Sequence, residues 1–254
     1  MKYPSITSAA DIPAALRDMR LSAIAAAFEE DMKNPNSNLK TFTERFSDIV
    51  RAEQDYRNNR KTNKYLKYAH LKMPDADLAD FDMSVNRQLD IDVLTKLSTC
   101  DWIRNRLNVI VTGPCGCGKT WISSAIGVRA CENFMTVRFY PTNRLILRMK
   151  TYAPNLYLQK LDEIQNLDLL ILDDIGLQNY DLDSCRIFYE ILDARYKNGS
   201  TLLISQFPVS AWSDLFADKT YGNGVLSRNI ENSIRMEITG DDLRLNHKAN
   251  FTTE

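Results

Sequence analysis

A glycine-rich segment that follows an apolar run constrains the fold of this 254-residue chain more than any other feature. The segment reads GPCGCGKT from Gly113 to Thr120, so that four residues separate the first glycine from Gly-Lys-Thr. This spacing, between a predicted strand (NVIVT) and a helix predicted from Lys119, is typical of a P-loop. Glycines let backbone N–H groups turn towards phosphate oxygens, and the start of the following helix adds positive partial charge. The sequence therefore predicts a phosphate-binding turn.

Two side chains of this turn have predicted roles in nucleotide chemistry. Lys119 is expected to reach the β- and γ-phosphates of ATP, and the Thr120 hydroxyl to ligate Mg²⁺. Cys115 and Cys117 fill the free positions of the motif, and a redox or metal role for them stays open because oxidation there would block the nucleotide. The predicted nucleotide contacts in this stretch are Gly113, Pro114, Cys115, Gly116, Cys117, Gly118, Lys119, Thr120 and Trp121.

A second apolar run, LLILDDIG, ends in two carboxylates and is typical of a Walker B strand. Asp173 is predicted to hold Mg²⁺ through water, and Asp174 to orient and polarise the attacking water. A further run, TLLISQ, ends in Ser205 and Gln206, where a polar side chain could lie between the two motifs and sense the γ-phosphate. A plain polar strand end explains that last feature equally well.

Apolar runs alternate with helical patterns from about residue 99 onwards. Near-continuous apolar strands separated by helices favour an α/β fold with a parallel sheet covered on both faces. The predicted strands are residues 108–112, 136–140, 167–174, 201–205 and 233–239.

The first 72 residues are predicted to be helical. Asp11 is a candidate cap for a helix with Pro13 in its first turn. The spacing of Leu16, Met19, Ala23 and Ala27 predicts a single helix face. The segment NPNSN should end that helix, and Thr41 with Glu44 fits the capping box of a second, long helix whose apolar face would be Phe42, Phe46, Ile49 and Tyr56.

Basic residues concentrate in two places that are candidates for DNA contact. Residues 33–72 hold ten Lys or Arg against four Asp or Glu, with tyrosines between them, although a solvated helix face would have the same pattern. The second place is the segment after the second predicted strand. Sequence-tolerant, salt-sensitive phosphate contacts are expected from Arg57, Arg60, Lys61, Lys64, Lys67, Arg144, Arg148 and Lys150.

Composition sets the remaining limits. No apolar run approaches the roughly 18 residues that span a membrane, and charges at the start argue against a signal peptide. Five scattered cysteines indicate no disulfide framework, so a cytoplasmic protein is expected, and two histidines are too few for a typical His-based metal site. The predicted domains are an N-terminal helical DNA- or partner-binding domain (1–72), a linker (73–98) and an ATPase domain (99–254).

The order of these elements resembles the AAA+ ATPases of the initiator and helicase-loader branch, and is most similar to the IstB-like transposition helpers of insertion sequences. The resemblance rests on LRDMRLSAIAAAFEE, TFTERFSDIVRAEQDYRNNRK, ADFDMSVNRQLD, VIVTGPCGCGKTWISSAIG, LLILDDIG and TLLISQFPVSAW. It implies an ATPase that uses ATP and Mg²⁺, assembles as a ring or helical homo-oligomer on duplex DNA, mostly without sequence preference, and recruits or activates its transposase. It implies no membrane partner.

The same resemblance assigns further residues. Ser205 matches the first sensor of the family, Arg228 the arginine finger that reaches a neighbouring subunit's ATP, and Arg244 lies near a second, nucleotide-binding sensor. Asn229 departs from the family, which usually has an apolar residue there. Few residues follow Arg244, so no C-terminal helical lid is expected.

Two other functions fit the P-loop. A DnaC-like replicative helicase loader shares the ATPase core, and the basic N-terminal region is what favours the transposition helper instead. A small-molecule P-loop kinase would need an arginine-bearing substrate lid, and no such segment is evident in the sequence.

Overall fold

The computed structural model describes residues 6–80, 91–230 and 233–240. The chain divides into two units, Met1–Lys64 and Tyr65–Glu254. The domain limits predicted from the sequence, at residues 72 and 98, stay a prediction. The described α-helices are α1 (Ile12–Asp18), α2 (Ser22–Lys33), α3 (Phe42–Ala69), α4 (Ile91–Ser98), α5 (Asp101–Arg104), α6 (Lys119–Glu132), α7 (Thr142–Thr151), α8 (Pro154–Gln165), α9 (Leu182–Arg195) and α10 (Lys219–Ile230).

The second unit is built on a parallel five-stranded sheet, which confirms the predicted α/β class. Its strand order is β2-β3-β4-β1-β5, so β4 separates the strand before the P-loop from the strand that ends in two carboxylates. All five strands are parallel, and their carboxyl ends therefore meet at one edge, where ligands bind in such sheets. The strands are β1 (Asn108–Thr112), β2 (Val137–Pro141), β3 (Leu169–Ile175), β4 (Ser200–Ser205) and β5 (Ser233–Glu237).

Alternate residues of β1, β2, β3 and β4 enter two separate cores. Val109 and Val111 of β1 pack in one core with Ile122 and Ile126 of α6, whereas Ile110 packs in the other core with Phe188 of α9. Successive side chains of a strand point to opposite faces, and helices cover both faces here. No helical lid follows β5 within the described residues, which reach Gly240.

In the first unit, the predicted single helix from Pro13 to Ala27 is wrong. The chain breaks between α1 and α2, where Arg20 has φ 61°, a left-handed conformation that a helix interior does not allow. The 3.6-residue spacing of apolar residues persists across the break, which is why the sequence concealed it.

The capping box at the start of α3 is confirmed. The Thr41 backbone N–H donates to Glu44 Oε2 at 2.7 Å, and the Glu44 N–H donates to Thr41 Oγ1 at 3.3 Å. The apolar face predicted for α3 is mostly wrong, because Ile49 is buried but Phe42, at 78% exposure, stacks with Phe46 on the surface. Tyr56 is also exposed.

None of the described helices combines the length and the apolar character needed to cross a bilayer.

Arg195, the last residue of α9, is a buried side chain that joins several segments by hydrogen bonds at the amino edge of the sheet, and we call it the Arg195 staple. Its guanidinium donates to the carbonyls of Ile164 and Leu167 at 2.5 and 3.0 Å, to the carbonyl of Ser200, and to Thr201 Oγ1 at 3.1 Å. Burial lowers the pKa of Arg195 to about 9, so the group is still protonated at neutral pH. It satisfies backbone carbonyls that would otherwise be buried without a donor.

Replacing Arg195 by methionine should therefore destabilise the protein by about 3 kcal/mol or more, since each orphaned buried carbonyl costs about 1–3 kcal/mol. Urea unfolding should show a lower midpoint with an unchanged slope. The matched control is Arg186→Met on the same helix, where the exposed side chain makes only a 3.4 Å ion pair with Glu190. Equal midpoints for the two variants would contradict the Arg195 staple.

Candidate nucleotide-binding site

The glycine-rich turn connects β1 to α6 at the carboxyl edge of the sheet. Gly113 has φ 150°, and a Cβ atom there would lie 2.1 Å from the carbonyl oxygen of Ile238, which is impossible without displacing the backbone. Ile238, just after β5, also donates its N–H to the Thr112 carbonyl at 2.8 Å. Gly118 has φ 96° and precedes α6, so the loop enters the helix through a left-handed residue. The turn therefore has the backbone that a phosphate cradle requires.

Lys119 lies across this turn. Its Nζ donates to the carbonyls of Gly113 and Pro114 at 2.8 and 2.5 Å, and it is 3.8 Å from Cys117 Sγ. The side chain is only 8% exposed. The ammonium thus takes neutral carbonyls as partners, which phosphate oxygens would replace with stronger, charge-assisted bonds. Cys115 is exposed and Cys117 buried, and their redox role stays a prediction.

The structure brings the two sequence motifs together through one hydrogen bond. Thr120 Oγ1 donates to Asp173 Oδ2 at 2.9 Å, although the two residues lie on different elements, α6 and β3. Asp173 Oδ1 accepts the Asp174 backbone N–H at 2.9 Å, and the Thr142 hydroxyl donates to the Asp173 carbonyl at 2.7 Å. The last bond ties the start of α7 to the end of β3.

Asp173 is an electrostatically costly residue. It is 2% exposed, and burial raises its pKa, with the neighbouring Asp174 carboxylate acting in the same direction. The hydrogen bond from Thr120 opposes the rise but does not cancel it. A buried carboxylate of this kind is stabilised by a bound cation.

Thr120 and Asp173 fit Mg²⁺, which prefers one or two carboxylates together with hydroxyl, water and phosphate oxygens. No group of three or more His, Cys, Asp or Glu that could hold a metal occurs in the part of the chain that the structure describes.

Asp174 occupies a distorted part of β3. Its φ is 61°, and the β3–β4 register shifts between Leu172 and Ile175, so that the two carboxylates sit in a bulge. Bulges re-aim side chains, and a left-handed aspartate is a strained residue of the kind found at functional sites. Asp173 consequently faces Thr120, while Asp174 lines a separate cavity beside β2.

Ser205 is fully buried at the end of β4. Its hydroxyl donates to the Ile175 carbonyl at 2.8 Å and accepts the Phe207 N–H at 3.1 Å. The hydroxyl thus fixes the chain directly after Asp174, whereas Gln206, the next residue, is the partly exposed polar side chain at this edge. A catalytic role for Ser205 stays a prediction.

Two predicted arginines cannot be placed in the site. Arg228 belongs to α10, but its side chain lies outside the described part of the structure, and Arg244 lies wholly outside the described residues. The unusual Asn229 next to Arg228 is 3% exposed, and its Oδ1 accepts from Asn108 Nδ2 at 3.1 Å. Asn108 Oδ1 in turn accepts the Thr201 N–H at 2.9 Å. This buried polar pair anchors α10 to β1 and β4, a role that a sequence pattern of apolar residues does not reveal.

The predicted DNA contacts differ in exposure and in the ion pairs they make. On α3, Arg57 donates to Glu53 at 2.8 Å, and Arg60, Lys61, Lys64 and Lys67 are exposed. On α7, Arg144 and Arg148 are exposed, but Lys150 forms an ion pair with Asp181 at 2.7 Å.

The sequence of the chain is similar to those of known ATP-binding proteins. The family model of the IstB-like ATP binding protein matches residues 14–251. The insertion sequence ATP-binding protein y4pL of Sinorhizobium fredii is 32% identical over 92% of this chain and 95% of its own. The IS1162 ATP-binding protein of Pseudomonas fluorescens is 34% identical over 77% of this chain and 85% of its own.

A solved structure agrees at the level of fold. The DnaC helicase loader matches with a TM-score of 0.52 at 21% identity, covering 64% of this chain and 96% of that chain. At this identity the likeness shows a shared fold and says nothing of a shared activity.

The buried carboxylate generates a stability prediction. Because the folded-state pKa of Asp173 is raised, ionised Asp173 opposes folding at neutral pH, and this cost disappears as pH falls through that pKa. Asp173→Asn should therefore raise the melting temperature of the nucleotide-free protein by about 2–4 °C, corresponding to about 1 kcal/mol. The same variant should lose the extra stabilisation that ATP with Mg²⁺ gives the unmutated protein.

Thermal unfolding with and without ATP and Mg²⁺ measures both effects. Asp162→Asn, an exposed carboxylate on α8, is the control and should leave both values unchanged. A nucleotide-free Asp173→Asn protein that melts below the unmutated one would show that the buried Asp173 carboxylate does not destabilise the fold.

Proposed function

The chain belongs to the IstB-like ATP-binding protein family, and from that membership we propose that it is an ATPase that assembles on target DNA and recruits or activates a transposase. ATP binding by an AAA+ domain is the part that the family itself establishes. Hydrolysis, DNA binding, assembly and the transposase partner are the proposal. The observation that supports hydrolysis is the Thr120–Asp173 hydrogen bond, which joins the phosphate-binding turn to the carboxylate pair.

In the proposed reaction, a water oxygen attacks the γ-phosphorus of ATP and the bond to the β,γ-bridging oxygen breaks, giving ADP and phosphate. Lys119 neutralises charge on the β- and γ-phosphates once it leaves the loop carbonyls, and the turn's N–H groups hold the phosphate oxygens. Thr120 and Asp173 would hold Mg²⁺, which would supply charge neutralisation at the phosphates. Asp174 orients the water and accepts its proton.

The remaining residues act on assembly and DNA. Arg228 of one subunit is proposed to contact the γ-phosphate bound by its neighbour, with Ser205 and Gln206 at the γ-phosphate side and Arg244 on the nucleotide. The basic residues of α3 and α7 are proposed to contact the DNA backbone, with residues 1–72 as the domain that binds DNA or the partner. Binding would depend on phosphate charge more than on sequence.

Transposition is proposed rather than helicase loading because the sequence is similar to insertion sequence proteins. The relatives named as insertion sequence ATP-binding proteins exceed 30% identity over most of both chains, whereas the helicase loader shares the fold alone. The carboxylate pair of β3 supports water attack rather than phosphoryl transfer to a small molecule.

Two variants separate ATP binding from hydrolysis. Lys119→Ala should lose tight ATP binding, because backbone N–H groups alone do not neutralise the β- and γ-phosphate charge. Asp174→Asn should bind ATP normally but hydrolyse it about 10²–10⁴-fold more slowly, since the amide keeps the shape and loses the base. Calorimetry measures the first effect and phosphate release the second. Equal ATP affinity for Lys119→Ala and the unmutated chain would refute the site, and undiminished turnover by Asp174→Asn would move the base elsewhere.

Mixing two inactive variants tests the shared site. Arg228→Ala should bind ATP as a dilute monomer but hydrolyse it poorly when assembled, because a trans arginine finger contributes about 10³–10⁵ in rate. In mixed oligomers, an intact P-loop from Arg228→Ala meets an intact Arg228 from Lys119→Ala at some interfaces, and a fraction of the activity should return. Particle mass measured with ATP, Mg²⁺ and duplex DNA establishes whether mixed oligomers form. If they form and stay inactive at every ratio, Arg228 does not act across subunits.

A further inference from the structure

A cavity of about 580 Å³ opens beside β2 and β3 in the second unit, and its lining is strongly basic. The cationic side chains come from three elements that the sequence does not place near one another: the segment after α3, β2 and α7. Asp174 is the only carboxylate among the described residues that line the cavity. The basic lining residues are His70, Lys72, Arg138, Arg144 and Arg148.

Three of these cations make no direct side-chain contact with an acceptor in the described part of the chain. Within the described residues, no hydrogen bond or ion pair joins the side chain of Lys72, Arg144 or Arg148 to an acceptor. Arg144 and Arg148 are four residues apart on α7 and therefore lie on one helix face, where like charges repel. Lys150 on the same helix, by contrast, is paired with Asp181. No ion pair among the described residues therefore offsets the repulsion between Arg144 and Arg148.

Arg138 gives the cavity a fixed wall. Its Nη1 donates to the Tyr68 carbonyl, and its guanidinium lies 4.7 Å from the centre of the Tyr68 ring. Its Nε is buried and has no acceptor among the described residues. A buried donor without a partner, beside unpaired cations, indicates a missing acceptor with several oxygens.

The cavity is electrostatically connected to the nucleotide site. Lys72 lines the cavity, and its charge acts on the Asp173 carboxylate. Asp174 lines the cavity and adjoins Asp173 in the bulge. An anion that enters the cavity would be repelled by the carboxylate of Asp174.

We propose that this cavity is a docking site for the phosphodiester backbone of a nucleic acid, and that Asp174 couples its occupancy to the nucleotide site. The ligand class rests on the proposed function, because a chain that binds DNA supplies a repeating anion to which a row of cations can bind. The site adds Lys72 and Arg138 to the residues found from sequence, and it leaves out Lys150. A phosphate in the cavity pairs with Arg144 and Arg148 and repels the carboxylate of Asp174.

The first experiment measures binding of a fluorescent 30-base-pair duplex across a salt series, with the full chain and a non-hydrolysable ATP analogue. Arg144→Gln/Arg148→Gln should make the slope of log K against log[salt] shallower by about 2, because about 0.9 is lost for each phosphate contact. Lys96→Gln/Lys197→Gln removes the same charge from exposed lysines outside the cavity and should keep the slope. Lys72→Gln should make the slope shallower by about 1.

The second experiment omits nucleotide and tests Asp174. Asp174→Asn should bind the duplex several-fold more tightly at low salt, because it removes a negative charge close to the docked phosphate. Asp162→Asn removes the same charge from α8 and should bind like the unmutated chain. Neither measurement needs ATP hydrolysis, so the two proposals can fail separately. If the chain binds DNA through the cavity but does not hydrolyse ATP, the proposed ATPase activity is refuted and the docking site stands.

Three results would overturn the site. Equal slopes for the cavity and control double variants would place the DNA contacts elsewhere while the proposed function stands. Equal duplex affinity for Asp174→Asn and Asp162→Asn would remove the coupling. If calorimetry shows that inorganic phosphate binds the unmutated chain but not Arg144→Gln/Arg148→Gln, while the duplex salt slope is the same for both, the cavity is a site for a free anion and not for nucleic acid. Unchanged melting temperatures confirm that the variants are folded.

Discussion

The buried carboxylate of Asp173 is the constraint on which the nucleotide site depends. A carboxylate at 2% exposure is tolerated only with hydrogen bonds and a cation nearby, and the fold supplies the hydrogen bonds from Thr120 and from the Asp174 backbone. Those bonds fix the distance between α6 and β3, and the Thr142 bond to the same residue fixes where α7 begins. The basic cavity follows from this arrangement, because α7 carries two of its arginines.

The bulge in β3 gives neighbouring carboxylates two different surroundings. Asp173 faces the phosphate-binding turn, and Asp174 faces a cavity lined by cations. One backbone irregularity therefore separates the residue that fits a metal from the residue that fits a base. It also places the base where a second anion can act on it, so that two ligands of the same protein are expected to influence each other reciprocally.

The sequence predicted those features that depend on local pattern. The P-loop, the strand that ends in Asp173 and the capping box at Thr41 all follow from spacing, because each is formed by residues close together in the chain. The break at Arg20 was missed because apolar spacing continued across it, and the surface position of Phe42 because spacing does not report what a helix face meets. The cavity was missed because Lys72, Arg138 and Arg148 come together only through the order of the strands. The role of Asn229 was hidden for the same reason, since its partner Asn108 is far away in sequence.

The contact between Gly113 and Ile238 determines when, during synthesis of the chain, the phosphate-binding turn can form. The turn leaves β1 early in the chain, but the strand that supports it, and the carbonyl that Gly113 passes, come far later. At about 5–20 residues per second, several seconds of synthesis separate the two segments. During that interval the growing chain holds a complete P-loop motif without the backbone that shapes it. A nascent or truncated chain that ends before Ile238 would consequently bind nucleotide poorly. ATP would bind tightly only to chains whose synthesis has passed β5.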